Sequence, residues 1–206
     1  AISGGSTPIG LFTEILNQID KKFKIKSNFF WVDERCVDPS STDSNFGSAK
    51  KHFFSKVNIS NNNIFRIRGE EKPEIEASYY TELLKTKTET IKNIPSLDLC
   101  LLGIGGDGHT ASIFPHELKK LSDRSDCVVG INPDSGQKRV SLSIKQINNS
   151  KEVIFHVCGS GKKDVVDMII SKRDNYLDLP ASHILPKSKN LSWYLDFDSA
   201  ETFMGT

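Results

Sequence analysis

A short apolar strand that runs into a glycine-rich loop constrains this chain more than any other feature. Residues 99–109 read LCLLGIGGDGH, so four glycines lie within six positions and the run ends on Asp107, glycine and His109. Glycine lets the backbone adopt positive φ and lets a ligand approach main-chain N–H groups. Histidine is the side chain that titrates near neutral pH. Because such a loop contributes little to a core, we predict that it is a functional site.

The alternation of apolar runs with amphipathic segments predicts the fold class. Helical spacing of apolar residues indicates helices at 7–23, 45–54, 73–88 and 162–170. Apolar or β-branched runs indicate strands at 28–33, 64–67, 97–104, 128–131, 139–144, 153–158 and 191–197. This order is typical of an α/β fold, and we expect a mostly parallel, Rossmann-like sheet with helices on both faces. Ligands of such sheets bind outside the carboxyl ends of the strands.

Two of the predicted helices carry further detail. Thr7 and Pro8 form an N-cap and first-turn pair at the start of the first helix. In the helix predicted at 73–88, the apolar residues Ile75, Tyr79 and Leu83 share one face. We therefore expect that face to be the apolar side of the helix.

Length and charge limit the organisation of the chain. With 206 residues and 37% apolar content, a single domain over residues 1–206 is the default expectation. The chain has 27 basic and 26 acidic residues, so no global charge attracts nucleic acid or an anionic membrane. No apolar run approaches the ~18 residues of a membrane helix, and no leader precedes the first turn. We expect a soluble, cytoplasmic protein whose N-terminal helix and start of the first strand are missing from this sequence.

Two phosphate-binding motifs are matched only partly. The loop glycines fit G-x-G-x-x-G, but His109 follows the third glycine and Pro115 interrupts the helix that a dinucleotide site requires. The pair Gly161-Lys162 suggests a P-loop, yet His156 replaces the required upstream glycine. What remains is a lysine at the start of a helix, where free N–H groups favour anions.

Other turns offer additional anion-binding groups. The turn at 3–8 reads SGGSTP and combines accessible backbone, hydroxyls and a helix N-terminus. Arg139 begins the alternating strand RVSLS, and its guanidinium can bind two phosphate oxygens. Arg35 ends the polar triplet DER after a predicted strand. Either arginine is equally consistent with a surface or structural ion-pair role.

These segments together resemble a known family. SGGSTP at 3–8, DER at 33–35, SN at 44–45, LGIGGDGHTASIFP at 102–115, RVSLS at 139–143 and GSGK at 159–162 occur in the order found in 6-phosphogluconolactonases. The resemblance runs through nearly the whole chain, and the GDGHTASxFP segment is its most specific part. It implies an α/β fold related to glucosamine-6-phosphate deaminase.

The resemblance also implies an activity and a set of site residues. The activity is hydrolysis of 6-phospho-D-glucono-1,5-lactone to 6-phospho-D-gluconate in the oxidative pentose phosphate pathway, with no metal or organic cofactor. It implies that His109 is the general base with Asp107 beside it. It implies that the substrate's anionic and hydroxyl groups are bound by Gly4, Gly5, Ser6, Arg35, Gly105, Arg139 and Lys162. Which of the three cations holds the phosphate stays open, and fusion to or association with glucose-6-phosphate dehydrogenase is an expected arrangement.

Two alternatives remain. A related deaminase needs more acid-base carboxylates, and in that family a glutamate stands five residues after the loop histidine, where this chain has Phe114. That family also has an aromatic residue in place of Arg35. The second alternative is a sugar-phosphate-sensing module without catalysis, although no basic helix-turn-helix pattern occurs here.

Overall fold

The computed structural model describes residues 1–20, 22–121, 124 and 126–204. In that part of the chain the α-helices are, in order, α1 (Thr7–Gln18), α2 (Asn45–His52), α3 (Pro73–Lys87), α4 (Leu118–Leu121), α5 (Ile144–Ile147), α6 (Lys163–Ile170) and α7 (Phe197–Ala200). The strands are β1 (Lys24–Ile25), β2 (Phe29–Phe30), β3 (Asp33–Arg35), β4 (Asn58–Ile59), β5 (Ile64–Phe65), β6 (Glu89–Ile91), β7 (Ile94–Ser96), β8 (Cys100–Leu102), β9 (Val128–Ile131), β10 (Lys138–Ser141), β11 (Val153–Val157) and β12 (Leu191–Leu195). The α/β class is confirmed.

Parallel pairing builds one side of the molecule. Strand β11 lies between β8 and β12 and is parallel to both, and β2 is parallel to β5. Residues 1–2 join these two groups. Ile2 forms a parallel bridge with Trp31, and the backbone N–H of Leu101 donates to the carbonyl of Ala1 at 2.9 Å. The strands around residues 1–2, 29–32, 100–102 and 153–157 therefore share one direction, and their carboxyl ends meet at the same edge.

A separate antiparallel sheet departs from the expectation of a mostly parallel sheet. Strand β10 pairs antiparallel with both β3 and β9. The connection from β9 to β10 is short because the Asn132 carboxamide oxygen accepts the backbone N–H groups of Asp134 and Ser135, and Gly136 adopts a φ of +67°. A short turn can join only antiparallel strands. The sheets are thus mixed, and the mostly parallel, Rossmann-like arrangement is not confirmed.

Two predicted helix details were wrong. Helix α1 ends at Gln18 rather than at residue 23, because Ile19 is extended with a ψ of 134°. In α3, Ile75 and Tyr79 are on the exposed side. The buried side carries Tyr80, whose hydroxyl accepts the Trp31 N–H at 2.9 Å, and the other buried positions of that helix are Glu76, Ala77, Thr81 and Leu84.

Buried apolar side chains from both sheets and the helices form one cluster, which includes Trp31, Phe155 and Val166. None of the helices within the described residues has the length and apolar character needed to cross a bilayer.

Candidate active site

Four chain segments meet around one cavity of about 240 Å³ at the carboxyl ends of the parallel strands. They are the turn at residues 3–8, strand β3, the loop at 103–109 and the turn at 158–162, and strand β10 adds Arg139. The turns at 3–8 and 158–162 and the loop at 103–109 each directly follow a parallel strand, and β3 follows the Trp31 bridge. This is the edge at which parallel sheets bind ligands. The cavity is lined by Gly4, Gly5, Ser6, Arg35, Gly105, His109, Arg139 and Lys162.

The glycine-rich loop closes on itself through its own backbone. The N–H of Gly105 donates to the carbonyl of His109 at 2.9 Å, and the N–H of Gly108 donates to the carbonyl of Gly105 at 3.0 Å. Gly108 has a φ of +80°, which favours glycine. A Cβ on Gly105 would overlap the His109 ring and the Asp107 carboxylate. Glycine at 105 therefore lets the two functional side chains lie directly against the main chain.

Asp107 and His109 form a hydrogen-bonded pair. The Asp107 Oδ1 lies 2.6 Å from His109 Nδ1 and also accepts the His109 backbone N–H at 3.2 Å. Burial alone raises the pKa of the Asp107 carboxyl, but the hydrogen bonds and charge of His109 bring this pKa below its ordinary value. Since an ionised carboxylate can only accept, Nδ1 carries the hydrogen. Nε2 of the neutral ring is then an acceptor and can take a proton from water.

Phe114 holds the His109 ring from behind. Phe114 is fully buried, and its ring centroid lies 4.8 Å from that of His109 at an angle of 45°. The guanidinium carbon of Arg139 lies 5.7 Å from the same phenyl centroid. One buried aromatic ring thus fixes both the imidazole and a cation of the cavity.

Two arginines lie side by side at the cavity, and neither forms an ion pair with a carboxylate of the described residues. Arg35 and Arg139 are directly opposite each other in the antiparallel pairing of β3 with β10. The Nε atoms of both are buried and lack a hydrogen-bond partner among the described residues. Burial, followed by the positive charge of Arg35, lowers the pKa of Arg139 from its ordinary value. The charges of Asp33 and Asp43 act on this pKa in the opposite direction, and Nη1 of Arg35 donates to the carbonyl of Asp43 at 2.6 Å. Two half-buried guanidinium groups with unpaired Nε atoms can together bind a doubly charged anion.

Glu34 turns out to be structural. Its carboxylate is 2% exposed and accepts the Ser44 hydroxyl and the backbone N–H groups of Arg35, Asn45 and Phe46. Burial raises the pKa of Glu34, and the three N–H groups oppose that rise. Glu34 therefore fastens the start of α2 to β3.

We expect Glu34→Ala to lower the free energy of unfolding by about 3 kcal/mol or more, because several buried donors lose their acceptor. Chemical denaturation measures this change. Glu82→Ala, on the exposed side of α3, is the matched control and should change the stability much less. Equal stability losses in the two variants would contradict the structural role of Glu34.

The turns at residues 3–8 and 158–162 contribute backbone groups and one cation to the cavity. Helix α1 begins at Thr7, so Ser6 rather than Thr7 is its N-cap residue. Gly5 has a φ of +94°, and a Cβ on Gly4 would overlap the buried Asn45 amide. Lys162 precedes α6 and lies in the cavity with no ion-pair partner among the described side chains.

The cavity holds no apparent metal centre. No three histidine, cysteine or acidic side chains cluster as metal ligands anywhere in residues 1–20, 22–121, 124 and 126–204.

Comparison with known proteins identifies the family. A model of the glucosamine-6-phosphate isomerases/6-phosphogluconolactonase family matches residues 1–193. The chain belongs to this family.

Relatives agree over most of the chain. The 6-phosphogluconolactonase of Treponema pallidum is 38% identical over 91% of this chain and 78% of its own. The crystal structure of the devB protein has a TM-score of 0.90 at 38% identity, covering 98% of this chain and 86% of that chain. The human GDH/6PGL endoplasmic bifunctional protein is 32% identical over 97% of this chain, but the match covers only 25% of that longer protein.

The structure brings the sequence-predicted residues together. Asp107 contacts His109, and the other eight line the cavity. Sequence reasoning gave no roles to Asp33, Glu34 or Asn45, although it quoted the DER and SN motifs that contain them. The structure identifies them as structural or functional residues because their polar side chains are buried. A polar triplet at a strand end followed ten residues later by Ser-Asn was the available signal.

Proposed function

We propose that this protein hydrolyses 6-phospho-D-glucono-1,5-lactone to 6-phospho-D-gluconate. One observation carries the proposal: a histidine held by an ionised aspartate shares a cavity with two neighbouring arginines whose Nε atoms lack a partner among the described residues. The first group suits activation of water, and the second suits a phosphate. Membership of the family and the lactonase relatives support the same reaction.

His109 acts as the base in the proposed mechanism. Its Nε2 takes a proton from a water molecule, and the resulting hydroxide adds to the lactone carbonyl at C1. The tetrahedral oxyanion then expels the ring oxygen, which takes the proton from the imidazolium and becomes the C5 hydroxyl. Backbone N–H groups of the loop, at Gly105 and its neighbours, are the candidate donors to the oxyanion. No covalent enzyme intermediate is needed because a lactone is an activated ester.

Arg35 and Arg139 are the proposed phosphate site. They are cross-strand neighbours at the cavity, and their mutual repulsion is relieved when a dianion lies between them. Phosphate binding then fixes the reacting carbonyl near His109. The binding free energy of the phosphate, which lies far from the reacting carbon, is in this way used to orient the lactone for attack. Lys162, in the turn between β11 and α6, is proposed to contact the oxygens of the sugar acid.

The structure of the loop favours the lactonase over the deaminase alternative. The position five residues after His109 carries Phe114, which is buried against the imidazole. A phenyl ring cannot transfer protons, and ring opening with isomerisation needs additional acid-base groups. A non-catalytic sensing module remains the second candidate, because it would keep the arginine pair without using the histidine.

The direct test compares three measurements on the purified protein. We expect hydrolysis of freshly prepared 6-phosphogluconolactone above its spontaneous rate and no ammonia release from glucosamine 6-phosphate. Binding of 6-phosphogluconate without any hydrolysis would contradict the proposal and indicate a sensing module. Ammonia release would indicate the deaminase. Association with glucose-6-phosphate dehydrogenase stays a separate prediction, which co-purification would examine.

We expect Lys162→Ala to raise KM for the phosphorylated lactone by about tenfold, as loss of one charged hydrogen bond implies. Steady-state kinetics measures the change. Lys163→Ala is the matched control, since Lys163 pairs with Glu201 instead of lining the cavity. An unchanged KM for Lys162→Ala would remove this lysine from the substrate site.

A further inference from the structure

Asp33 is a buried carboxylate of the cavity that the proposed mechanism does not use. Asp33 is 5% exposed and lines the same cavity as His109. Oδ2 accepts the Ser112 hydroxyl at 2.6 Å. Oδ1 receives only a long contact from the Asn45 Nδ2 at 3.4 Å. One carboxylate oxygen is therefore held by a short hydrogen bond, and the other keeps capacity for a stronger donor.

The position of Asp33 relative to the arginines is set by strand geometry. Asp33 and Arg35 are two residues apart on β3, so their side chains project to the same face at a spacing of about 7 Å along the strand. Arg139 lies opposite Arg35, and Ser141 lies opposite Asp33. The cavity wall thus has the Arg35–Arg139 pair at one end and the Asp33 carboxylate two residues away from Arg35 along β3.

This pattern matches a phosphorylated polyol better than a simple phosphate ester. A phosphate requires cations, whereas the carboxylate would repel a second anionic group and attracts hydroxyl donors. In the proposed substrate, ring hydroxyls at carbons 2, 3 and 4 lie within a few ångströms of the phosphate-bearing end. We propose that Oδ1 of Asp33 accepts a hydrogen bond from one of these hydroxyls and so selects polyhydroxy lactones. This inference rests on the proposed function.

The neighbours of Asp33 hold its carboxylate in place for this role. Ser112 belongs to the segment that follows His109, and its backbone N–H donates to the Ser141 hydroxyl at 3.0 Å. Asn45 also donates from Nδ2 to the Asp33 carbonyl at 2.9 Å. The orientation of Asp33 is thus linked both to the segment that carries the base and to the start of α2. Because the Asp33 carboxylate is already held in one orientation, it loses less conformational entropy when it binds a substrate hydroxyl.

The test combines a variant with substrate analogues. We compare the wild-type protein and Asp33→Asn on 6-phosphogluconolactone and on its 2-deoxy, 3-deoxy and 4-deoxy analogues, measuring kcat/KM. For the wild type, removal of the contacted hydroxyl is expected to lower kcat/KM by about 10- to 100-fold. For Asp33→Asn, whose neutral carboxamide oxygen is a weaker acceptor, the parent lactone loses part of this factor, and removal of the same hydroxyl then costs several-fold less than in the wild type. Asp98→Asn, an exposed carboxylate before β8, is the matched control and should keep the wild-type pattern.

A merely structural role of Asp33 gives a different result. It would lower kcat/KM by the same factor for every lactone. The inference is therefore overturned if Asp33→Asn lowers kcat/KM by the same factor for the parent lactone and for all three deoxy analogues. The wild-type series alone provides a second measurement that does not depend on folding of the variant. If no deoxy analogue loses more than about threefold in the wild type, the inference is also overturned. Absence of hydrolysis of the parent lactone by the wild type would instead contradict the proposed function itself.

Discussion

His109→Ala is expected to lower kcat for the phosphorylated lactone by about 10²- to 10⁴-fold, the range that a positioned general base supplies. Alanine keeps the cavity open to water but removes the imidazole that an ionised aspartate holds there. KM should change little, because the cations proposed to bind the phosphate stay in place. Steady-state kinetics with subtraction of the spontaneous hydrolysis rate measures the effect.

The control for this variant is His52→Ala at the end of α2, outside the cavity. It should retain the wild-type kcat. Both variants should unfold at the wild-type denaturant concentration, since the His109 side chain is partly exposed. A kcat within threefold of the wild-type value for His109→Ala would exclude this residue as the base.

The second large effect is expected for the arginine pair. Arg139→Gln and Arg35→Gln should each lower kcat/KM for the phosphorylated lactone by about 100-fold, as loss of a buried charge partner of an anion implies. The loss should appear mainly in KM. Activity on unphosphorylated glucono-1,5-lactone, which has no group for this site, should stay near the wild-type value.

The stability of these variants tests the same idea independently. Burial and then the positive charge of Arg35 lower the pKa of Arg139, so the two guanidinium groups repel each other when no anion is bound. Removing one charge should therefore leave thermal stability unchanged or raise it, as is common for residues kept for function. Arg66→Gln, which breaks an ion pair with Glu70 outside the cavity, is the matched control. Equal losses on both lactones would contradict a phosphate site at this pair.

Much of the fold follows from local sequence patterns. Apolar periodicity predicted α3 to within one residue at its carboxyl end, and the glycine-rich loop follows β8 as expected. The same reasoning treated β9 and β10 as further strands of a parallel sheet, although the segment NPDSG between them is a turn signal. It also placed Ile75 and Tyr79 on the apolar side of α3. The buried side instead includes Glu76, whose carboxylate accepts a hydrogen bond from Arg68. The spacing of apolar residues therefore predicted the wrong buried side of the helix.

The amino-acid sequence by itself determined the loop, the adjacent histidine and aspartate and the family. The loop and the Asp107–His109 pair depend on residues two to six positions apart, whose geometry is set by backbone dihedral preferences and local hydrogen bonds. The family follows from the order of several such segments along the chain. Only the tertiary structure decided that Arg35 stands opposite Arg139 and that Asp33 binds Ser112, which is 79 residues away. Contacts of that kind depend on strand register, and register is fixed by packing of the whole core rather than by any short segment.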